Sequence, residues 1–359
     1  MKFPLSAADQ LARARSDLRL AVPVRLQFGD QIWIAAAIET LTAARFAAFQ
    51  SCGRPFLALT ARRAETLKAR PYDGDMARIQ LPRDVDLSWV QSVADPAGDL
   101  LSPMKGPLES LRDGPADPAR AALALCKAAR LLPAALMVQL ADAAAEPDLT
   151  LLDTDSARAA LTAPVALSEI VSASVPLQVA ERARLHLFRA EDGGEDHYAI
   201  EIGQPDRAQP VLTRLHSACF TGDIIGSLKC DCGPQLRGAL ERIGAEGSGV
   251  LLYLNQEGRG IGLANKMRAY SLQDQGFDTV EANHRLGFED DERDFRIGAQ
   301  ILSQMGFASA RLMTNNPAKL AMLERCGLTV TERVPLQLGR TAFNAAYLDT
   351  KASKSGHLL

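Results

Sequence analysis

The sequence has no uninterrupted apolar run long enough for a membrane span and no excess of basic charge. Its 359 residues carry a formal net charge of −3, with 23% charged and 47% hydrophobic residues. This composition is ordinary for globular proteins and offers nucleic acid no basic surface. The N-terminus lacks an apolar signal core, and Lys127, Arg130 and Pro133 interrupt the most apolar stretch, residues 121–140. We therefore expect a cytoplasmic protein that binds neither nucleic acid nor membrane.

Cysteine is also scarce, yet three of the six cysteines lie within residues 219–232. In a reducing compartment, clustered cysteines are more often metal ligands or catalysts than disulfide partners. A catalytic zinc ion keeps three protein ligands and one open position. The spacing of Cys219, Cys230 and Cys232 therefore favours a zinc site over three unrelated thiols. His216 is either a fourth ligand or a polar group of the surrounding pocket.

Strand-like and helix-like segments alternate along the chain, and this predicts a mixed α/β fold with two domains. We assign residues 1–145 to a first domain, 146–175 to a linker region and 176–359 to a second domain. Two strands flank a turn at Gly29 and Asp30 in the first domain. In the second domain, residues 234–247 have the pattern of a helix that begins at a proline and ends at a glycine.

The segment NQEGRGIG follows a short apolar run that is typical of a buried strand. Gly258, Gly260 and Gly262 surround Arg259 there, just before a predicted helix. The glycines are consistent with a phosphate-binding loop or with a plain turn. Arg259 favours the phosphate interpretation, because its planar guanidinium matches phosphoryl oxygens.

Two further segments combine charge with a helix start. The acids of GFEDDERDF, between residues 290 and 294, are typical of N-capping on a solvated face at the start of the helix predicted over 292–306. In LMTNNPAKL, a strand ending at Thr314 leads into a helix that begins at Pro317. Such turns often bind ligands in α/β proteins. Lys319 in the first turn opposes the usual preference for acids, which favours an anionic ligand.

Taken together, these motifs resemble GTP cyclohydrolase II of riboflavin biosynthesis over residues 176–359. The resemblance rests on RLHSACFTGDIIGSLKCDCGPQL, NQEGRGIGLANKMRAYSLQDQGFDTVEANHRLGFEDDERDF, LMTNNPAK and YLDTKASKSGHLL. It implies a zinc site at the three clustered cysteines and catalytic roles for Tyr270, Asp291 and Arg293. It also implies that GTP contacts Arg214, Leu215, His216, Ser217, Ala218, Gln235, Glu257, Gly258, Arg259, Thr279, Thr314 and Lys319.

The resemblance implies a homodimer that hydrolyses GTP with one zinc ion per chain and with magnesium on the triphosphate. Ring opening would release formate, and pyrophosphate would leave separately. The family proposal makes Arg293 a nucleophile, but a guanidinium keeps its proton, so an electrostatic clamp is chemically simpler. Ala218 replaces the glutamate usual in the family. The alternatives are a non-catalytic nucleotide-binding regulator and a related enzyme for another purine or pyrimidine substrate.

The first half faintly resembles dihydroxybutanone phosphate synthase. That enzyme needs an acidic loop and a histidine metal ligand. The segment at the place of that loop, QFGDQIWIAAAIE, holds only the acids Asp30 and Glu39, and no histidine precedes His186. We therefore expect a retained fold without its chemistry. The apolar helix around Leu123 to Leu132 is predicted to offer a surface that pairs chains or braces the second domain.

Overall fold

The computed structural model describes residues 3–345 and Leu358, so all of the predicted motif YLDTKASKSGHLL except Leu358 lies outside the described residues. The chain divides into two compact units. The first comprises the residues up to Ala163 together with Ala264–Glu292, and the second comprises Pro164–Leu263 together with the residues from Arg293 onwards. The predicted domain bounds did not anticipate that residues 264–292 group with the first half.

The described helices are spread over both units. They are α1 (Ala7–Arg19), α2 (Ala43–Ser51), α3 (Ala61–Thr66), α4 (Leu87–Ala94), α5 (Asp117–Ala128), α6 (Thr154–Thr162), α7 (Cys232–Glu246), α8 (Leu263–Asp274), α9 (Thr279–Leu286), α10 (Arg296–Gln304) and α11 (Ala318–Arg325). Among the described residues, no helix is both long enough and apolar enough to span a bilayer.

The strands form one sheet in each unit. They are β1 (Val24–Phe28), β2 (Gln31–Ala37), β3 (Phe56–Thr60), β4 (Met76–Gln80), β5 (Ala134–Gln139), β6 (Leu151–Asp153), β7 (Leu167–Ser174), β8 (Ala183–Ala190), β9 (His197–Ile202), β10 (Val211–Ser217), β11 (Gly249–Leu254), β12 (Ser309–Met313) and β13 (Thr329–Val334). Helices and strands occur in both units, which confirms the predicted mixed α/β class.

The sheet of the first unit has the order β4-β3-β5-β2-β1-β6. The predicted turn joins β1 to β2, with Gly29 in the left-handed region at φ +60° and Phe28 paired with Gln31. Helices α1, α5 and α6 cover one face, and α2 and α4 cover the other. Leu123 and Leu125 of α5 are buried in this core. The prediction that they form a surface for pairing chains is therefore wrong.

The predicted linker region, 146–175, contains regular structure instead of a plain connection. It holds β6 and α6, which belong to the first unit, and the whole of β7, which is the first strand of the second unit. Asp153 accepts the N–H of Ser156 at 2.9 Å and so caps α6. Because these elements are short, their apolar pattern was too weak to recognise.

The sheet of the second unit has the order β13-β12-β10-β11-β9-β8-β7. Strand β10 lies between β12 and β11 and runs parallel to both, so the carboxyl ends of these three strands lie along one edge. Side chains alternate along β10: Leu212 packs on the α7 side, whereas Leu215 packs on the side of α10 and α11. The C-terminal end of β10 is where the candidate site is built.

Two helix boundaries differ from the predictions in ways that affect this site. Helix α7 begins at Cys232, two residues before Pro234, so one predicted zinc ligand lies in its first turn. Helix α10 begins only at Arg296, and Phe295 at its N-cap makes no side-chain capping bond. The acids of GFEDDERDF therefore precede the helix in irregular backbone, and of these Asp294 accepts the N–H of Arg296, the first residue of α10, at 2.9 Å.

Candidate active site

The loop that follows β10 carries the first clustered thiol. A π-helical turn spans Phe220–Ile224, with Cys219 at its N-cap, and Cys219 Sγ accepts the N–H of Gly222 at 3.3 Å. Glu257, in the loop after β11, accepts the N–H of Phe220 at 2.6 Å. The turn is therefore fixed by two hydrogen bonds, one to the sulfur of Cys219 and one to the carboxylate of Glu257.

The other two thiols approach the first one closely. The ligand atoms of Cys219, Cys230 and Cys232 all lie within 4.8 Å of one another, and the Sγ atoms of Cys219 and Cys230 are 3.7 Å apart. Tetrahedral zinc with Zn–S bonds of about 2.3 Å requires sulfurs about 3.8 Å apart. The three thiols therefore fit zinc, and His216 is not a member of this cluster among the described residues.

Packing and charge around the thiols also suit a cation. A Cβ at Gly222 would lie 2.8 Å from Cys230 Sγ and 3.1 Å from Cys219 Sγ, so the loop can approach the sulfurs only with glycine there. Hydrogen bonds to the neighbouring thiols and burial raise the pKa of Cys232 well above its usual value. Each thiolate that forms raises the pKa of its neighbours, because negative charges in close contact repel each other. A bound divalent cation offsets this repulsion and allows all three thiols to lose their protons.

A buried carboxylate connects this loop to the sheet. Asp223, with a side chain only 1% exposed, accepts the N–H of Cys219 at 3.0 Å and the hydroxyl of Tyr253 at 3.0 Å. Nε2 of His216 lies 3.1 Å from both of its oxygens. Burial lowers the pKa of His216, against the opposing effect of Asp223. Asp223 thus fixes the backbone of Cys219, and it is itself held in place by His216 of β10 and Tyr253 of β11.

A second network leads from β10 to the cysteine pair. Arg214, buried on the α7 side, donates to the carbonyl of Met313 at 3.1 Å and to the amide oxygen of Gln235. Gln235 in turn donates to Asp231 at 2.6 Å, and Asp231 stands between Cys230 and Cys232 in the chain. Burial lowers the pKa of Arg214 to about 10. Its Nε is buried and has no hydrogen-bond partner among the described residues, so the guanidinium has capacity left for an anion.

Two further cations flank one aromatic ring. The ring of Phe295 lies 4.6 Å from the guanidinium carbon of Arg293 and 4.7 Å from Nζ of Lys319. Arg293 donates to the hydroxyl of Ser217 at 3.2 Å, and Lys319 donates to the carbonyl of Leu215 at 3.5 Å. Both cations are therefore anchored to the end of β10, and each makes a cation–π contact with Phe295.

The loop after β11 is a strained turn. Gly258, Arg259, Gly260 and Gly262 all have positive φ, between +60° and +94°, which for Arg259 is unusual. The amides of Gly260, Ile261 and Gly262 donate to carbonyls of the same loop. These amides are therefore occupied, and of the two interpretations of NQEGRGIG the plain turn accounts for the backbone of this loop.

The remaining predicted residues fall in different places. Thr314 is buried at the end of β12, where its hydroxyl accepts the N–H of Asn316 at 3.0 Å. The N–H of Ala218 donates to the carbonyl of Leu254 at 2.7 Å. Tyr270, Thr279 and Asp291 belong to the first unit. The second unit brings together the thiols, Arg214 to Ser217, Gln235, Glu257, Arg293 and Lys319.

Several residues that build this arrangement were not predicted from the sequence. Each of four residues, Asp223, Asp231, Tyr253 and Phe295, contacts a predicted residue directly. Asp223 and Asp231 do lie inside the cysteine segment, and a carboxylate close to metal ligands is a common way of orienting them. Tyr253 and Phe295 have no comparable signal, because their roles depend on strand pairing and on the packing of α10.

Comparison with known proteins agrees with the sequence resemblance. The family model for GTP cyclohydrolase II matches residues 168–335. A GTP cyclohydrolase-2 from Azospirillum brasilense is 43% identical over 369 residues, covering 99% of this chain and 96% of that protein. The riboflavin biosynthesis protein RibBA of Bacillus subtilis is 55% identical over 177 residues, covering 49% of this chain and 44% of that protein.

A structural comparison adds one distant likeness. A two-domain 3,4-dihydroxy-2-butanone 4-phosphate synthase from A. baumannii aligns with 90% of this chain and 99% of its own, at a TM-score of 0.31 and 13% identity. The sequence relationships are much stronger. Identity of 43% over nearly the full length of both chains shows that this chain belongs to the GTP cyclohydrolase II family.

Proposed function

We propose that the chain is a zinc-dependent GTP cyclohydrolase II of riboflavin biosynthesis. It opens the imidazole ring of GTP, releases formate and pyrophosphate, and leaves 2,5-diamino-6-ribosylamino-pyrimidinone 5'-phosphate. One observation carries the proposal: the thiol cluster and the cations Arg214, Arg293 and Lys319 all gather at the C-terminal end of β10. A metal site beside an anion site is what ring hydrolysis of a nucleotide requires.

In this proposal, Cys219, Cys230 and Cys232 hold the zinc ion. Zinc bound by three thiolates supplies a Lewis acid that lowers the pKa of a water molecule towards neutrality. The chain's own contribution is to fix the thiols. Asp223 and Glu257 hold the loop of the first thiol through its backbone N–H groups, and Asp231 ties the cysteine pair to Gln235.

The cations serve the phosphate end of the substrate. Arg293 acts as a clamp that stabilises charge developing on the phosphate, in preference to a covalent role, because a guanidinium is a poor nucleophile. Arg214 offers its buried Nε to the same ligand or to the guanine base. Magnesium, a hard cation that prefers oxygen ligands, accompanies the triphosphate and neutralises part of its charge.

The first half is proposed to keep a synthase-like fold without synthase chemistry. Enolisation of a sugar phosphate needs a metal-bound diol and a base close to it. Asp30 lies exposed at a turn, and Glu39 is bonded to Leu132 and Arg268. Incubation of the full chain with ribulose 5-phosphate and magnesium should therefore yield no dihydroxybutanone phosphate, and formation of that product would refute this part.

Incubation of the purified chain with GTP and magnesium tests the main proposal. Formate and pyrophosphate should both appear, and removal of zinc by a chelator should abolish formate release. Cys230→Ser should lose zinc and formate release together. Cys326 is an exposed cysteine at the end of α11, so the control variant Cys326→Ser should keep both. A chain that binds GTP and releases neither product would instead be the non-catalytic regulator. Light scattering on the same sample tests the expected homodimer.

A further inference from the structure

Residues 264–292, which carry Tyr270, Thr279 and Asp291, pack in the same unit as the first half of the chain. On α8, the guanidinium of Arg268 lies 3.1 Å from a carboxylate oxygen of Glu39 and 3.3 Å from one of Asp95. Both acids come from the first half, and they approach Arg268 two residues before Tyr270 in the chain.

The ion pairs that Arg268 makes with Glu39 and Asp95 are half-buried. The side chains of Arg268 and Glu39 are 24% and 16% exposed, and the second oxygen of Glu39 accepts the N–H of Leu132 at 2.8 Å. One turn earlier on α8, the buried side chain of Asn265 donates to the carbonyl of Arg130 at 3.1 Å. Enclosed ion pairs with additional hydrogen bonds are costly to break from one side.

The end of α9 is held by close packing. Gly287 ends this helix at φ +89°, and its carbonyl accepts the hydroxyl of Thr60 at 2.8 Å. A Cβ at this position would lie 2.8 Å from the Thr60 hydroxyl and 3.0 Å from Cγ of Pro133. In the same region, Arg285 lies 3.5 Å from Asp99. The helix end therefore fits directly against side chains of the first half.

The irregular stretch around Asp291 is held on both sides. Arg62 of α3 binds Glu289 with two nitrogens, at 2.8 and 3.0 Å. Lys127 of α5 donates to Glu292 at 2.6 Å. Asp291 thus lies in a stretch without regular secondary structure whose ends are fixed by two cations of the first half.

We propose that the first half of the chain is a positioning module for the cyclohydrolase reaction, acting through residues 264–292. Glu39 is its central positioning residue, because it joins the sheet of the first unit to the helix that carries Tyr270. This inference rests on the proposed function for its catalytic consequence. The contacts themselves are independent of that function, since they describe only how the segment is held.

The test compares Glu39→Gln, Arg268→Gln and the double variant with Asp30→Asn in the full chain. Asp30 is the other acid of the same sequence stretch and lies exposed at the β1–β2 turn, which makes it a matched control. Each Glu39 or Arg268 variant should lower kcat for formate release by roughly tenfold, since small misplacements of catalytic groups have large effects on rate. Zinc content should stay at the wild-type level, because the cysteines lie in the other unit.

Two further measurements separate positioning from general damage. If Glu39 and Arg268 act through each other, the double variant should lose no more activity than a single one. Peptides spanning 264–292 should exchange amide hydrogen faster in these variants and at the wild-type rate in Asp30→Asn. The inference would be overturned by any of three results. These are losses of kcat in the two single variants that multiply in the double variant, a wild-type kcat in Glu39→Gln, or wild-type hydrogen exchange of residues 264–292 in the Glu39 and Arg268 variants. A wild-type chain that releases no formate would refute the proposed function, whereas the exchange comparison would still decide whether the first half holds this segment.

Discussion

Replacement of Gly222 by alanine tests most directly whether the three thiols form a metal site. The new Cβ would lie 2.8 Å from Cys230 Sγ, 2.9 Å from Cys232 Cβ and 3.1 Å from Cys219 Sγ. Non-bonded carbon atoms are most stable at about 3.5–4.0 Å, so the methyl group must push at least two of the three cysteines aside. Sulfurs that share one zinc ion cannot move apart by that amount without lengthening a Zn–S bond.

The size of the effect follows from the cost of overpacking. Extra carbon in a well-packed site costs about 1–3 kcal/mol. Since 1.4 kcal/mol corresponds to a factor of ten in an equilibrium constant, Gly222→Ala should weaken zinc binding by roughly 5- to 150-fold. Competition with a chromophoric chelator of known zinc affinity measures this ratio for the full chain.

Gly98→Ala is the matched control for that experiment. A Cβ at Gly98 would meet no atom within 4 Å, and its φ is not in the left-handed region. This variant should therefore keep the wild-type zinc affinity. If Gly222→Ala binds zinc within twofold of the wild type, the thiols have room to move, and the reasoning from their close packing is wrong.

Three other substitutions test separate contacts. Asp223→Asn should weaken zinc binding by about tenfold, because hydrogen bonds to a charged acceptor contribute about 1.5–3 kcal/mol; wild-type zinc affinity would contradict the role of this carboxylate. Arg293→Lys keeps the charge but loses the planar fork, so pyrophosphate release should fall by at least about tenfold; a wild-type rate in Arg293→Ala would refute the clamp. Gly287→Ala adds a Cβ at φ +89° and 2.8 Å from Thr60, so Tm should fall by several degrees; an unchanged Tm would show that this packing is loose.

The central strands and the thiol cluster could be predicted because their signals are local. β11 is a continuous apolar run, and glycine or proline marks the ends of α7 and α11. The cysteines fall within fourteen residues, so the chain needs only one loop and one helix start to bring them together. A site whose residues lie close together in the sequence can be inferred from the residue types and their spacing.

Contacts that depend on strand register could not be predicted in this way. His216 and Tyr253 stack at 5.6 Å because they are paired across β10 and β11. Nothing in either segment indicates which residues will be opposite each other until the parallel register is known. Asp223 acquires its second and third partners through that register, so its role was hidden even though its position beside Cys219 was visible.

Helix α9 was missed for a different reason. Its sequence contains a capping box, since Asp278 accepts the N–H of Glu281 and Glu281 accepts the N–H of Asp278, both at 3.0 Å. An acid followed three residues later by glutamate was therefore a usable signal. The helix has only eight residues, which is too short for apolar periodicity to identify without that signal.

Glu39 shows why the first half was harder to interpret than the second. When the sequence is compared with that of dihydroxybutanone phosphate synthase, Glu39 is interpreted as an isolated acid that remains from a lost metal site. In the fold, one oxygen accepts the N–H of Leu132 and the other pairs with Arg268. A half-buried carboxylate bonded on both oxygens is costly to remove, because among the described residues its removal leaves the Arg268 guanidinium paired with the carboxylate of Asp95 alone. Structural constraint is therefore a sufficient reason for an acid at this position. An acid in the first half is therefore evidence for retained synthase chemistry only when its hydrogen-bond and ion-pair partners are known, since a structural contact can account for it equally well.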